Sequence, residues 1–461
     1  MKERIIHLLN GKPSDTIITA EGWVRTKRVS KTVCFLELND GSSLSSLQLV
    51  IDLENFMNAE ILDSIQTGAA ISATGVLVAS PGGKQSVEMQ CTQIELHGEA
   101  GPDYPLQKKR HSLEYLREIA HLRGRTNTMS AVMRVRNEIS YAIHTYFYEK
   151  GFTYIHTPII STSDAEGAGE MFQVTTLDLL NAKRNEDGKI DYSKDFFGRK
   201  ASLTVSGQLQ GETYALALKD IYTFGPTFRA ENSNTKRHLS EFWMIEPEMA
   251  FCDLEGDMEV AEDFLKYVFS RVLNRCEEDM AFFSRFIEKG VAEVLQQVVE
   301  SPFAHVTYTD AIAELRKNNS SFDYPVSFGA DLQTEHERFL TEKVFKGPVI
   351  VTDYPKEIKA FYMKMNDDSK TVRAMDVLVP RLGEIIGGSE REARLDVLTD
   401  RMKELNLVPE DYWWYLDLRR FGSVKHAGFG LGFDRIVQYI TGMQNIRDVI
   451  PYPRAAKQAD F

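Results

Sequence analysis

Hydrophobic residues recur at every second position through much of the first hundred residues, and that period predicts strands. EGWVRTKRV reads as one strand, and TVCFLELND with GSSLSSLQLVID reads as a hairpin turning at Asp40-Gly41. ENFMNAEILDSIQTG then has helical spacing and stops at a glycine suited to a C-cap. AAISATGVLVASP and SVEMQCTQIELHGE return to alternation, parted by a Pro-Gly-Gly turn. Three strands, a helix and two strands is the order of a five-stranded OB-type barrel, a common binder of oligonucleotides, expected over residues 1–103.

Alternation also assigns faces. Cys34, Leu36 and Leu38 share one side of their strand, Leu47, Leu49 and Ile51 one side of the next, and Val87, Met89 and Cys91 one side of the last. Phe35, Gln48 and Glu88 are thereby expected on outward faces of three strands. An aromatic ring, an amide and a carboxylate suit stacking on a base and reading its edge; a lone outward Phe also occurs as incidental surface.

GEAGPDYPLQ closes the barrel segment, and residues 104–127 read as a hinge or linker. From 128 the period changes. MSAVMRVRNEISYAIHTYFYEKG is a long amphipathic helix leading into FTYIHTPIIS, and mixed strands and helices follow to residue 461, with a polar surface insertion near 181–200. The expected fold is α+β: an OB-type barrel, then a large domain built on a mainly antiparallel sheet with flanking helices.

Composition narrows the class. The 461 residues are 43% hydrophobic and 26% charged, ordinary for a globular enzyme of two domains. No apolar run reaches membrane-spanning length, and MKERIIHLLNGKPSD lacks a signal-peptide core, so a cytoplasmic protein is expected. Cys34, Cys91, Cys252 and Cys276 lack metal-type spacing and read as reduced thiols. The net charge of −13 opposes nucleic-acid binding on average, but RTKRVSK (25–31) and KKRHSLEYLREIAHLRGR (108–125) are locally basic, as binding surfaces or as solvated faces.

Three stretches carry chemistry. GFGLGFDR (428–435) fits neither the dinucleotide fingerprint nor the phosphate loop of NTPases. Its glycines at i, i+2 and i+4 leave one strand face bare, either for a flat ligand under Arg435 or for close packing. FRAENSNTKRHLSEFWMIEPEMAF (228–251) reads as strand, loop, strand. Arg229 and Glu231 share a face, Phe242, Met244, Glu246 and Glu248 share a face on the return strand, and the sheet is expected to aim an Arg, three Glu and a Phe to one side. Charges on an inner face need partners or a ligand, and Lys236, Arg237 and His238 in the loop suit polyphosphate; a salt-bridged exposed hairpin is the alternative. In VRAMDVLVPRLGEIIGGSERE (372–392), Asp376 and Glu384 can converge as oxygen ligands for magnesium, Gly387 and Gly388 permit close approach, and Arg391 can clamp a carboxylate or amide.

These stretches resemble the signature motifs of class II aminoacyl-tRNA synthetases, with GFTYIHTPIIS and its Pro158 similar to the motif at the dimer interface. With an OB-type first domain, the pattern resembles the aspartate–asparagine–lysine subgroup over essentially the whole chain. TVSGQLQGE, FYMKMND, GEIIGGSERE and WYLDLRRFGSV resemble its asparagine-specific members most. The resemblance implies that Arg435 covers one side of the adenine and contacts the γ-phosphate, that Phe242 stacks opposite, and that Arg229 holds the α-phosphate. It gives Glu231 the adenine amino group and His238 the far phosphates, and makes Arg229, Glu384 and Arg435 catalytic. Asp376 and Glu384 would hold Mg2+.

For the amino acid, Glu246 is expected to accept from the asparagine amide and Arg391 to donate to it, with Gln208 nearby in the Ser-x-Gln loop and Glu166 on the α-ammonium group. Gly211 falls where aspartate-specific members carry a lysine. Phe35, Gln48 and Glu88 match the family's anticodon-reading positions. The implied partners are tRNA(Asn), ATP, L-asparagine and a second copy in a homodimer, with no membrane. Aspartate as substrate, with or without discrimination, and a catalytically silent nucleic-acid binder on the same scaffold are the rival readings. Lys425 departs from the family by standing where proline is common, which bears on the loop before His426.

Overall fold

Alternating side chains close the first segment into a barrel. In the computed structural model, β1 (Ser14–Val29), β2 (Val33–Asn39), β3 (Leu47–Asp52), β4 (Ala70–Ala79) and β5 (Val87–Gly98) follow the order β1-β2-β3-β5-β4, and β1 pairs with β4. The inward faces carry the core: Cys34, Leu36, Leu38, Leu47, Leu49, Ile51, Val87 and Met89 are all fully buried. The structure describes residues 3–57, 59–82, 85–165, 171–232 and 235–461, which form two units, Met1–Arg134 with Phe461 and Val135–Asp460.

Two local expectations are corrected. The helix expected over 54–68 is a single turn, Ile61–Ser64, and Gly68 takes φ +96° in the turn leading to β4 instead of capping a helix. The predicted hairpin turn is a longer loop, because β3 begins only at Leu47. Side chains organise that loop: the Gly41 amide donates to Asn39 Oδ1 (2.8 Å) and the Ile5 amide to Asp40 Oδ2 (3.1 Å).

The helix Asn127–Glu149 runs at the predicted place and buries Val135, Ile139, Ala142, Ile143, Tyr146 and Phe147 along one stripe of the second unit. Beyond it lie β6 (Thr153–Tyr154), β7 (Ile160–Ser161), β8 (Gln173–Val174), β9 (Ala201–Leu203), β10 (Asp220–Phe228) and β11 (Glu241–Ala250). Next come β12 (Ala304–Thr307), β13 (Val349–Pro355), β14 (Thr371–Val379), β15 (Gly383–Glu390) and β16 (His426–Gly432). Eight of these make one sheet, β12-β13-β14-β15-β16-β11-β10-β6, antiparallel except at its two outer pairs. A small sheet, β7-β9-β8, carries the predicted insertion between β8 and β9. Helix Leu254–Arg275, whose N-cap Asp253 accepts from the Gly256 amide (3.2 Å), covers the large sheet with Ala261, Phe264, Leu265 and Val268 buried.

Candidate active site

The bare face of β16 lies between two partner strands. Gly428 pairs with Glu248 and with Ser389, and Gly430 with Gly387. A Cβ on Gly428 would lie 2.5 Å from Glu248 Cδ, and one on Gly430 would lie 2.9 Å from Met244 Cε. The glycines are therefore demanded by what packs over them, which includes a buried carboxylate at one end. At the other end the face opens into a cavity of about 160 Å³, lined by Arg229, Glu231, His238, Phe242, Glu384 and Arg435 together with Arg237, Met244, Gly430 and Gly432.

Different elements deliver those side chains. The Arg229 guanidinium carbon stands 5.3 Å from the Phe242 ring centroid, across the end of the β10–β11 hairpin. Arg435 starts the helix Phe433–Thr441, whose Asp434 is spent on structure: it accepts from Arg136 Nη1 (2.6 Å) and from the Trp243 amide (3.1 Å). The two members of the Asp-Arg pair thus divide their labour, one anchoring the helix to β11 and one facing the cavity. Burial first, then the neighbouring cations Arg435, Arg229 and Arg237, lower the His238 pKa against the pull of Glu231. Arg237 is lowered too, by burial and by Arg435. A group of cations close enough to help lower the pKa values of His238 and Arg237 suits a polyanion.

A carboxylate cluster adjoins this end. A Cβ on Gly387 would meet Glu384 Oε1 at 3.3 Å and Asp376 Oδ1 at 3.6 Å, so both carboxylates converge over one glycine. Burial, followed by the charge of Asp376, raises the Glu384 pKa. Glu337, on the helix Thr334–Phe339, accepts from the Glu384 amide (3.2 Å) and is pushed up to about 8 by burial and by Glu384. Lys359 donates to both Asp376 oxygens (2.8 and 2.7 Å). Glu337 lies in a segment outside the signature stretches and Lys359 two residues before FYMKMND, and neither was picked out by sequence; the lone acid and base carried no motif of their own. Lys359 offsets the repulsion between Asp376 and Glu384 only in part, since the Glu384 pKa stays raised, and such a pair fits a divalent cation. No group of three or more His, Cys, Asp or Glu arranged for a metal occurs among the described residues.

Deeper along β11 the charges are paired. Glu246 accepts from the Gly207 amide (3.0 Å), Thr223 Oγ1 (2.9 Å) and Ser206 Oγ. Arg391 holds Glu248 through Nε (3.1 Å) and Nη2 (2.5 Å), and donates from Nη1 to Ser389 (2.8 Å). A hub missed by sequence lies beside them: Glu212 accepts from Gln208 Nε2 (3.1 Å), Tyr415 (2.8 Å) and Arg419 (3.0 Å) and contacts His426 Nε2 (3.0 Å). Its partners are scattered over two hundred residues, so no spacing reveals it. A Cβ on Gly211 would meet Ile221 Cδ1 (3.4 Å), Thr223 Cγ2 (3.6 Å) and Glu248 Cγ (3.8 Å), so a longer side chain there would lie against the stems of this layer.

The family described as tRNA synthetases class II (D, K and N) matches residues 112–456, well over half of the sequence. The chain belongs to that family. Residues 18–96 of this class II synthetase also match the OB-fold nucleic acid binding domain. It is 61% identical over 464 residues to the asparagine–tRNA ligase of Acetivibrio thermocellus, covering 100% of both chains. It is 60% identical over 459 residues to the asparagine–tRNA ligase of Picosynechococcus, covering 99% of this chain and 100% of the other. Its fold is similar to the crystal structure of asparaginyl-tRNA synthetase from Pyrococcus horikoshii complexed with asparaginyl-adenylate, at TM-score 0.86 and 30% identity, covering 100% of this chain and 99% of that one.

Of the candidate residues in this synthetase, Arg229, Glu231, Arg237, His238, Phe242, Glu384 and Arg435 line the open cavity, and Glu246, Arg391 and Gln208 lie in the charged layer beyond it. Glu166 lies outside the described residues. On the barrel, Phe35 is half-buried, with the Arg28 guanidinium 5.8 Å from its centroid. Glu88 corrects an expectation: it stands on the outer side of β5 but is only 5% exposed, because it accepts from Gln48 Nε2 (2.9 Å) and Ser80 Oγ (3.0 Å). Gln48 and Glu88 form one hydrogen-bonded pair instead of two free groups. Lys425 closes its loop through Asp253 Oδ2 (2.7 Å) and through its carbonyl, which accepts from the Phe251 amide (2.7 Å).

Proposed function

We propose that the chain activates asparagine with ATP and transfers it to tRNA(Asn). The observation that carries this reading is that one cavity over the glycine floor is lined by Arg229, Glu231, His238, Phe242, Glu384 and Arg435, which come from three separate stretches of the sequence. The full-length likeness to asparagine–tRNA ligases supports it. Adenine lies between Phe242 and Arg435, with Glu231 on its amino group, Arg229 on the α-phosphate and His238 on the far phosphates. The asparagine carboxylate attacks the α-phosphorus and pyrophosphate leaves; the nucleophile is already ionised, so the protein's work is alignment and charge neutralisation. A terminal ribose hydroxyl of the tRNA then takes the acyl group and AMP departs. Asp376 and Glu384 would hold Mg2+, which supplies neutralisation of the phosphate oxygens. Residues 1–103 read the anticodon through Phe35, Gln48 and Glu88. The exposed segment around Pro158 meets a second copy in a homodimer, and the enzyme works in the cytoplasm; no helix of the described residues is long and apolar enough to cross a membrane.

Selection of asparagine follows from unused hydrogen-bonding capacity. A carboxylate offers about four lone-pair sites, and Glu246 has three donors, leaving one for an amide NH2. A guanidinium has about five N–H groups, and Arg391 uses three, leaving donors for the amide oxygen. Aspartate would put a second carboxylate against Glu246, with no lysine at position 211 to meet it. Glu166 holds the α-ammonium group. Discrimination of about 10⁴ is within reach of such a site. ATP–pyrophosphate exchange is the test: asparagine supports it and aspartate does not, and Glu246→Gln narrows the gap. Equal rates with both amino acids in the unaltered protein would refute the assignment.

A further inference from the structure

The insertion on the small sheet displays aromatic rings that it has no structural need to expose. Asp195, 7% exposed, accepts from Thr175 Oγ1 (2.6 Å), Thr176 Oγ1 (2.8 Å), and the amides of Thr176 (2.9 Å) and Phe196 (2.8 Å). Those bonds fix the backbone at the point where two consecutive rings begin. Phe196 is nevertheless 77% exposed and Phe197 45%, set edge to face with centroids 4.9 Å apart. Arg199 and Lys200 follow at once, both exposed and without an ion-pair partner among the described residues. An aromatic pair on a pinned backbone, flanked by free cations, has the chemistry of a single-stranded nucleic-acid platform: rings for bases, cations for phosphates.

Its place in the chain says which strand. Lys200 leads into β9, and six residues later Ser206 donates to Glu246, so the chain can place Lys200 no more than about 20 Å, and the two rings no more than about 35 Å, from the amino-acid end of the site. We propose that Phe196 and Phe197, with Arg199 and Lys200, hold the unpaired 3′ strand of the tRNA acceptor arm while it receives the acyl group. This inference rests on the proposed aminoacylation. The nucleic acid is favoured over a second copy of the chain because cations border the rings directly.

The test uses the full-length protein with two tRNA(Asn) transcripts, one complete and one lacking its unpaired 3′ nucleotides. Phe196→Ala/Phe197→Ala is expected to raise the KM for complete tRNA roughly tenfold, with pyrophosphate exchange unchanged. The unaltered protein binds the complete transcript more tightly than the truncated one, and the variant loses that preference. Phe196→Tyr/Phe197→Tyr restores it because the ring is kept, and unchanged pyrophosphate exchange in the Ala variant shows that its loss is not one of folding. Arg199→Ala/Lys200→Ala makes the salt dependence of tRNA binding shallower by roughly one unit in log–log slope. An unmoved KM alongside intact exchange overturns the platform but not the activity, whereas absent exchange in the unaltered protein overturns the activity itself. A changed sedimentation coefficient in the Ala variant without RNA also overturns it, by assigning the rings to a protein contact.

Discussion

On the barrel, Phe35 sits half-buried on the outer side of β2 while Cys34 and Leu36 beside it make the core. On the large sheet, Glu246, Glu248 and Arg391 are themselves buried, at 4%, 0% and 2% exposure, and each is hydrogen-bonded into its neighbours. The first arrangement separates the proposed base-reading ring from the core by the period-2 alternation of a strand. The second merges site and core, because a site that must exclude water has to bury its charges, and buried charges must be paired to be tolerated. Substitutions should therefore give clean single-assay losses on the barrel and mixed losses in the charged layer. The open cavity falls between, with its side chains ordered but facing a space.

The largest effect is expected at the cavity. Arg229→Ala removes the charge proposed to meet the α-phosphate while its neighbour Phe242 keeps its place in β11, so exchange should fall by about 10³-fold with little change in Tm. Near-normal exchange in a folded Arg229→Ala protein would remove the basis for placing ATP there. Gly428→Ala comes next and tests the merged region. The new methyl would press on the Pro247 carbonyl (2.3 Å) and the Glu248 carboxylate (2.6 Å), disturbing the Arg391 pair. A loss of about 1–3 kcal/mol of stability together with weaker asparagine binding is expected, read by denaturant melts and by KM in exchange. A stable variant with altered KM alone would show that folding and binding are separable in the floor as well.

How much of this was legible depended on how local the constraint is. Alternation in TVCFLELND and SLQLVID placed the barrel core, because strand faces follow from spacing alone. The glycine strand, the Arg-Phe end of the hairpin and the Asp376–Glu384 pair were legible because each lies within one short stretch. Glu212, Glu337 and Lys359 were not, since their partners approach only after the sheet assembles. Glu88 was assigned the right side of its strand but the wrong exposure, because Ser80 and Gln48 cover it from other strands. The short turn at Ile61–Ser64 shows the opposite failure, a local helical period that tertiary structure does not extend.

Phe35→Ala tests the separated region and should cost about 1–3 kcal/mol in tRNA binding, seen as a raised KM in aminoacylation. Exchange and Tm should hold, because the ring rests against Arg28 and not in the core. Parallel losses in both assays would make the barrel face as entangled with folding as the floor, and the contrast would collapse.

The smallest effect belongs to Lys425, at the exposed approach to β16, and it asks whether exposure or the choice of domain decides separability. Its ion pair with Asp253 joins two side chains that are 53% and 40% exposed, so water and salt screen it. Asp253 keeps its capping bond to the Gly256 amide when the lysine is removed, and the helix Leu254–Arg275 keeps its start. Lys425→Ala should lower Tm by no more than about 2 °C at low salt and by less in 0.5 M salt, with exchange unchanged. The pH dependence has a definite sign. Hydrogen bonds from Lys425 and Gly256 hold the Asp253 pKa below its ordinary 3.8, so its contribution is complete above that value and fades as the pH falls beneath it. The difference in Tm between the two proteins should accordingly be flat from pH 5 to 8 and shrink towards pH 3. A loss of exchange in Lys425→Ala at unchanged Tm would show that the loop before His426 positions the floor, and that even an exposed residue there is tied to the chemistry.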